Sequence, residues 1–375
     1  MSKNSSIKVA VAGIGNCFSA LYQGFAYYKE NRGLEVPGLM FEDIGGYAPT
    51  DVEVVAAFDV DKRKVGQPVG RAIFAKPNCA RVFMPKVPAG PVVQMGPVLD
   101  GVSDYMLAQP EDESFRIAKA KPVDIVKALK DSGADILINY MPVGSQKATE
   151  FYAQAAIDAG VAFLNCIPVF IASDPKWEKK FIKAGLPIIG DDMRSAFGAS
   201  ILSQVLQELA FDRGFAVDFH QQINIGGNTD FNNMMVQSRL ASKKKSKENV
   251  IRAQNDLRGI PVPKNSLFAG PSTYLPYLGD NKVAYFNLRL RGFGDQPVNV
   301  DIKLSVQDSE NSAGVVIDAI RYLKVARELG VVGSLRGPSA WTQKTPPRQM
   351  VYADAKAACE ALAKRQLPPD QRVKA

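Results

Sequence analysis

Histidine is nearly missing from this chain: His220 is the only one among 375 residues. Four cysteines, Cys17, Cys79, Cys166 and Cys359, stand far apart with no CxxC pair. These scarcities argue against a Cys/His zinc site and against a disulfide framework. Any nucleophile–histidine mechanism would have to run through His220, which sits in a strand-like segment and reads as structural. Long apolar runs are missing too, the longest being much shorter than a membrane span. Met1 to Ser6 is too short and polar for a secretory signal, so a cytoplasmic protein is expected. Internal repeats and low-complexity segments are also lacking, and the Pro- and Arg-containing end after Gln366 reads as frayed.

What is present is a 46% hydrophobic composition at a length that allows two domains and a large core. The net charge of +8 permits nucleic-acid binding. Against that, Lys and Arg are spread along the chain and no RNA- or DNA-binding signature occurs. Attraction for an anionic metabolite explains the charge equally well.

Ile7 to Ala12 reads as a short buried strand, Gly13-Ile14-Gly15-Asn16 as the turn after it, and Cys17 to Lys29 as a helix. Glycine in that turn lets backbone approach a pyrophosphate, and the helix N-terminus offers free N–H groups to it. The third glycine of the usual fingerprint is replaced by Phe18, so the match is partial. A second strand, Val52 to Phe58, ends at Asp59, an acceptor for adenosine ribose hydroxyls. Its late position requires an insertion between Asn31 and Asp51.

Helices at Pro122 to Asp131, Gln146 to Ala159 and Pro175 to Ala184 alternate with strands at Asp135 to Asn139, Val161 to Asn165 and Pro187 to Gly190. Such alternation predicts an α/β fold with a Rossmann-like, doubly wound parallel sheet. Its strand ends carry Pro142-Val143-Gly144-Ser145, Cys166-Ile167-Pro168 and Gly190-Asp191-Asp192, three loops placed to line one crevice.

After a helix from Ala196 to Arg213 the pattern changes. Ala284, Phe286, Leu288 and Leu290 alternate with Tyr285, Asn287, Arg289 and Arg291, and Val298, Val300, Ile302, Leu304 and Val306 alternate with polar residues. Gly292-Phe293-Gly294-Asp295 joins the two runs as a hairpin. A second, α+β domain with an open sheet is expected over 201–305. The dinucleotide domain then covers 1–200 and is completed by 306–375, with a returning helix from Ser312 to Leu329.

Between these regions lies Ser242-Lys243-Lys244-Lys245-Ser246-Lys247, preceded by Gly227-Asn228-Thr229-Asp230. On a helix, Lys243 and Lys247 share one face. Taken alone the run is a solvated basic face, but Asn228, Asp230 and Asn233 nearby make a polar pocket for a phosphorylated, hydroxyl-rich small molecule. On these features alone, an NAD-dependent dehydrogenase of a phosphorylated metabolite and a basic nucleotide-sensing or nucleic-acid-binding protein both stay open.

In their order, the glycine turn, Pro142 to Ser145, Gly190 to Ser195, Gly227 to Asp230, the lysine run, Leu278 to Lys282, Asp308 to Gly314 and Lys344 to Pro347 resemble myo-inositol-1-phosphate synthase. The resemblance spans nearly the whole chain and looks like the prokaryotic branch. It implies conversion of glucose 6-phosphate to inositol phosphate with tightly held NAD and no net redox change. The steps are oxidation at C5, loss of a C6 proton, aldol closure of C6 on C1 and re-reduction. It further implies a homotetramer built through the second sheet, and neither nucleic acid nor membrane as partner.

By motif position the resemblance assigns Lys243, Lys247, Lys282 and Lys344 as catalytic lysines, with Asp192, Asp230 and Asn228 beside them. Lys243 pairs with the C5 oxygen, Lys247 with the C1 aldehyde oxygen, and Lys282 and Lys344 with phosphate and developing oxyanion. Cofactor contacts fall to Gly13, Gly15, Asn16, Cys17, Asp59, Pro142, Gly144, Ser145, Asp191, Asp308 and Ser309. Some members use a cation, divalent or monovalent, and Asp308 and Ser309 are the oxygen ligands expected for it. Read structurally, Asp192 is a helix N-cap, Asp308 a strand-end turn, and Lys244 and Lys245 solvated. Arg194 departs from the lysine of many members, at a position that bears on phosphate or metal contacts.

Overall fold

The computed structural model describes residues 6–33, 37–367, 371 and 373, and at 237, 238 and 240–242 the backbone alone. The segment before Ser6, part of the 31–51 insertion and most of the end after Gln366 therefore lie outside the described residues.

The parallel sheet comprises β1 (Ile7–Ala12), β2 (Val52–Asp59), β3 (Val93–Met95), β4 (Ile136–Asn139), β5 (Ala162–Asn165), β6 (Pro187–Ile189) and, from the far end of the chain, β11 (Gly333–Ser334). Its order, β11-β6-β5-β4-β1-β2-β3, reverses direction between β1 and β4, which is the switch point of a doubly wound sheet. Alternation along β1 explains why both faces are covered. Ile7, Val9 and Val11 enter one core, whereas Ala10 and Ala12 enter the other.

Helices α1 (Asn16–Glu30) and α10 (Asp308–Glu328) cover the first face. Helices α4 (Ile125–Ser132), α5 (Gln146–Ala159) and α6 (Pro175–Ala184) cover the second, while α2 (Val69–Ala72) and α3 (Asp104–Ala108) are short turns in the long β2–α4 excursion. Helix α4 starts later than the expected Pro122 because Asp124 caps it, accepting from Lys127 N at 3.0 Å. Within the 31–51 insertion, residues 40–47 are pinned by α10. Buried Arg321 donates to the carbonyls of Phe41, Glu42 and Tyr47 and pairs with Asp318, whose other oxygen accepts Met40 N.

The second sheet has the order β10-β9-β7-β8, formed by β7 (Ala216–Gly226), β8 (Leu267–Tyr274), β9 (Asn281–Arg291) and β10 (Pro297–Gln307). Helix α7 (Ala199–Asp212) covers the inner row Ala284, Phe286, Leu288 and Leu290 of β9. On β10 the apolar residues do alternate as expected but are only half-buried, and Val298 is exposed, because β10 is the edge strand and lies beyond α7. Helices α8 (Thr229–Asn233) and α9 (Gln237–Asp256) connect β7 to β8, and α9 carries the lysine run. Helices α11 (Arg336–Thr342) and α12 (Tyr352–Ala363) close the chain against α10. Among the described residues no helix is long and apolar enough to cross a membrane.

Candidate active site

One cavity of about 260 Å³ lies at the carboxyl ends of β1, β2 and β4, beneath α8 and α9. The wall on the parallel sheet is made mostly of backbone. Gly13 has φ +98°, and a Cβ there would meet Tyr140 O at 2.6 Å, so only glycine fits the turn. Gly15 caps α1 with open space above it, leaving the first N–H groups of a 15-residue helix free to meet an anion. Asp59 braces the turn: Oδ2 accepts Ile14 N at 2.7 Å, and Oδ1 accepts Val60 N and Asp61 N at 2.7 and 2.8 Å. Asn16 bridges the halves of the site, accepting from Cys79 N at 2.6 Å and donating to Thr229 Oγ1 at 3.3 Å. Burial, then the nearby Asp308, pushes the Cys17 thiol up to about 12, so it stays neutral.

The opposite wall is built of long charged side chains from three elements. Lys243 and Lys247 project from α9, Lys282 from β9, and Lys344 from the segment after α11. Asp192, φ +62°, holds two of them on one oxygen, with Oδ1 lying 3.2 Å from Lys243 Nζ and 2.9 Å from Lys344 Nζ. Lys344 also donates to Met193 O, and Lys243 reaches Asp230 Oδ2 at 3.7 Å. Lys282 contacts Asp308. Lys247, nearly buried, has no ion-pair or hydrogen-bond partner among the described residues.

Their electrostatics follow from this uneven sharing. Burial alone would raise the Asp192 carboxyl, but Lys243 and Lys344 override it and bring it down to about 2. Burial likewise opposes charge on Lys243, yet Asp192 and Asp230 hold its pKa above the ordinary lysine value. Burial and then the charge of Lys243 take Lys344 the other way, down to about 8, although it touches the same carboxylate. One anion cannot support two buried ammonium groups equally, and Lys243, with a second carboxylate, keeps its charge. Lys247 is pushed well below its ordinary value by burial and by the neighbouring lysines.

The structure brings most of the expected residues to the cavity, namely the four lysines, Asp192, Asp230, Asn228, Gly13, Gly15, Asn16, Cys17, Asp59, Pro142, Asp308 and Ser309. Asp192 is not a helix N-cap, since α7 starts at Ala199 behind Gly198. Asp308 is the first residue of α10, which begins ahead of the expected Ser312.

Three cofactor candidates are placed otherwise. The Asp191 carboxylate is consumed inside the fold, accepting from Ile171 N, Ala172 N, Ser173 N, Ser173 Oγ and Asn165 Nδ2. Ser145 turns its hydroxyl to Pro142 O at 2.5 Å. Gly144 backs onto Arg239, whose guanidinium donates to Val143 O and Asp100 O. Arg194 points its guanidinium to Gln343 O and Gln204 Oε1, away from the cavity.

Asp280 escaped the sequence reading. It accepts from Asn228 Nδ2 at 3.0 Å and from Ser309 N and Oγ, both at 2.9 Å. Burial and then Asp308 push its carboxyl up to about 7. The signal for it was its place inside the Leu278 to Lys282 motif, where the resemblance assigned a role to Lys282 alone. The expected cation ligands do not fit a metal. Asp308 is occupied by Lys282 and Ser309 donates to Asp280, and no group of three or more metal-ligating side chains occurs among the described residues.

A dinucleotide-type glycine turn facing a buried lysine cluster defines an α/β enzyme for an anionic small molecule. The family model for myo-inositol-1-phosphate synthase matches residues 198–309. The inositol-3-phosphate synthase of Mycolicibacterium smegmatis is 47% identical over 357 residues, 94% of this chain and 97% of that protein. The solved structure of Ari2 is similar with a TM-score of 0.75 at 34% identity, covering 96% of this chain and 98% of that one. A myo-inositol-1-phosphate synthase-related protein from Thermotoga maritima matches the fold with a TM-score of 0.77 at 22% identity, covering 97% and 99%. The chain belongs to the myo-inositol-1-phosphate synthase family.

Proposed function

We infer that the protein converts glucose 6-phosphate to 1D-myo-inositol 3-phosphate in a cycle that starts and ends with the same oxidised NAD. The carrying observation is the convergence of four lysines from three elements on a cavity whose other wall is a dinucleotide-type turn. Gly13, Gly15, Asn16 and Asp59 are the residues suited to hold NAD: glycine at 13 lets the turn close on Tyr140 O, and the open space at Gly15 over the α1 N-terminus is the fit for its pyrophosphate. NAD, when bound, supplies a hydride acceptor for the C5 alcohol and returns that hydride to the ring ketone.

The chain's own groups do the rest. Lys243, kept charged by Asp192 and Asp230, faces oxygen that gains negative charge, and such a donor in a water-poor site is worth about 3–4 kcal/mol of barrier. Lys344, near pH 8, takes and returns protons at working pH. Lys247 lacks an anion of its own, and the substrate's phosphate or the aldol oxyanion supplies one, restoring its charge on binding. The first turn of α7, with Ala199 and Ser200 on the cavity, offers free N–H groups to the phosphate. In this reading 1–200 with 306–375 binds cofactor and lends Asp192 and Lys344 to the chemistry, while 201–305 supplies Lys243, Lys247 and Lys282. The family's homotetramer would form through the outer face of the second sheet, where Tyr285 is exposed, with Phe293 exposed at the β9–β10 hairpin, and the enzyme would work in the cytoplasm.

The test is incubation with glucose 6-phosphate and catalytic NAD, reading periodate-releasable phosphate together with absorbance of NADH. Inositol phosphate without accumulating NADH is expected; NADH rising with turnover would replace the reading with a simple dehydrogenase.

A further inference from the structure

Strand β7 carries an unusual inner row. His220, Gln222 and Asn224 are all buried on the face where neighbouring β9 carries Ala284, Phe286, Leu288 and Leu290. Polar groups in such a layer are costly unless each is hydrogen-bonded, and here each is. Asn224 Nδ2 donates to Gly270 O at 2.9 Å, and Gln222 Nε2 to Asn224 Oδ1 at 3.0 Å. Ser203 Oγ donates to Gln222 Oε1 at 2.9 Å, and His220 Nε2 lies 3.1 Å from Ser203 Oγ. On the other side of the ring Nδ1 lies 2.7 Å from Gln207 Oε1, and the Gln207 amide also bonds Asn255.

The ends of this chain of bonds are informative. Asn224 lines the cavity. Ser203 and Gln207 belong to α7, whose first residues line it too, and Asn255 lies in the last turn of α9, the helix of Lys243 and Lys247.

The polarity of the chain fixes the ring's proton. Gly270 O only accepts, so Asn224 turns its NH₂ there and its oxygen to Gln222. Gln222 then shows its oxygen to the Ser203 hydroxyl, which leaves Ser203 Oγ to accept from Nε2–H. Burial pushes the ring's pKa down to about 3, so the imidazole is neutral and Nδ1 is bare. A bare Nδ1 does not bond a carbonyl oxygen, so the Gln207 amide takes the flipped orientation, giving NH₂ to the ring and oxygen to the Asn255 amide.

We propose that His220 is a positioning residue for the cyclisation: by bonding both Ser203 and Gln207 it locks α7, α9 and β7 together and so sets Lys243 and Lys247 against Asn224 and the start of α7. This rests on the function inferred above. Two readouts test it.

Because the chain has one histidine, its ¹⁵N-labelled ring gives a single set of NMR signals. The Nε2–H tautomer is expected throughout pH 5 to 8, and its signals shift when NAD and glucose 6-phosphate are added. The second readout is kinetic. His220→Phe keeps the ring and removes both bonds. It is expected to lower kcat about tenfold and raise KM, with NAD affinity within about twofold, while His220→Gln, restoring a donor toward Ser203, recovers part of kcat. A His220→Phe enzyme with wild-type kcat and KM would overturn the proposal, as would an Nδ1–H tautomer. So would loss of NAD affinity and thermal stability in step with rate, the mark of a merely structural role. If His220→Phe does not fold, Ser203→Ala cuts the same chain at one link and is expected to lower kcat about threefold with NAD affinity unchanged; an unaffected kcat overturns the proposal. If the wild-type protein forms no inositol phosphate, the function reading fails instead. The ring signals then decide alone, a shift on ligand addition supporting the positioning role and no shift overturning it.

Discussion

The two walls of the cavity are made of different material. The wall on the parallel sheet uses backbone N–H groups, glycine and one carboxylate bonded to the main chain. The facing wall uses four lysines on long side chains, with too few carboxylates placed to neutralise them all. Backbone cannot titrate, so the N–H groups of the first wall offer a fixed shape. Crowded amines do titrate, so the second wall can move protons. In the proposed function holding falls to the first wall and reacting to the second, so substitutions on the two sides should fail in different ways.

The sharpest separation is expected from Lys243→Ala, which removes the lysine held by two carboxylates. Turnover should fall about 10²–10³-fold while NAD affinity, measured by fluorescence titration, stays near wild type. Gly13→Ala should do the reverse. With φ +98° and a Cβ 2.6 Å from Tyr140 O, NAD binding should weaken about 10–100-fold, from roughly 1–3 kcal/mol of local strain. If that variant lost turnover at saturating NAD as severely as Lys243→Ala, the division between the walls would collapse.

The pH dependence sharpens the same contrast. Lys344 must be unprotonated to accept a proton, so kcat/KM should rise about tenfold per pH unit toward pH 8 and then level. Lys344→Arg should abolish that limb, whereas NAD affinity should stay flat over the same range.

A smaller effect concerns Asp280. Its folded pKa of about 7 lies above the ordinary 3.8, so its contribution to stability is fully present below pH 3.8 and is lost as pH rises through 7. Asp280→Asn should flatten the fall in Tm between pH 4 and pH 8. An equally steep fall in the variant would assign the slope to another group. Smallest of all, Lys244→Ala should leave rate and NAD affinity within about twofold, because Lys244 is half-exposed and meets only Glu248 at 3.9 Å and the Phe268 ring at 5.3 Å among the described residues.

The wall made of backbone was largely legible in the sequence, because strand, glycine turn and helix are local patterns. The same holds for the β9–β10 hairpin, whose strict alternation and glycine-containing turn lie within one stretch of chain. Legibility fell where long-range partners decide. Asp191 and Asp192 are adjacent and chemically identical, yet one is spent on the 171–173 loop and the other on lysines 51 and 152 positions away. Spacing brought Lys243 and Lys247 to one helix face, but only family resemblance joined Lys282 and Lys344 to them. The half-buried apolar row of β10 shows the same limit: alternation reveals that a strand has two faces, and the neighbours decide how deeply one is covered.

The single Asp192 oxygen shared by Lys243 and Lys344 also bears on how the enzyme comes into being. Its three contributors leave the ribosome in the order 192, 243, 344, and β11, which extends the parallel sheet, comes just before the last of them. The glycine turn needs the chain only as far as Tyr140, whereas the shared carboxylate has both its lysines only once residue 344 has been added.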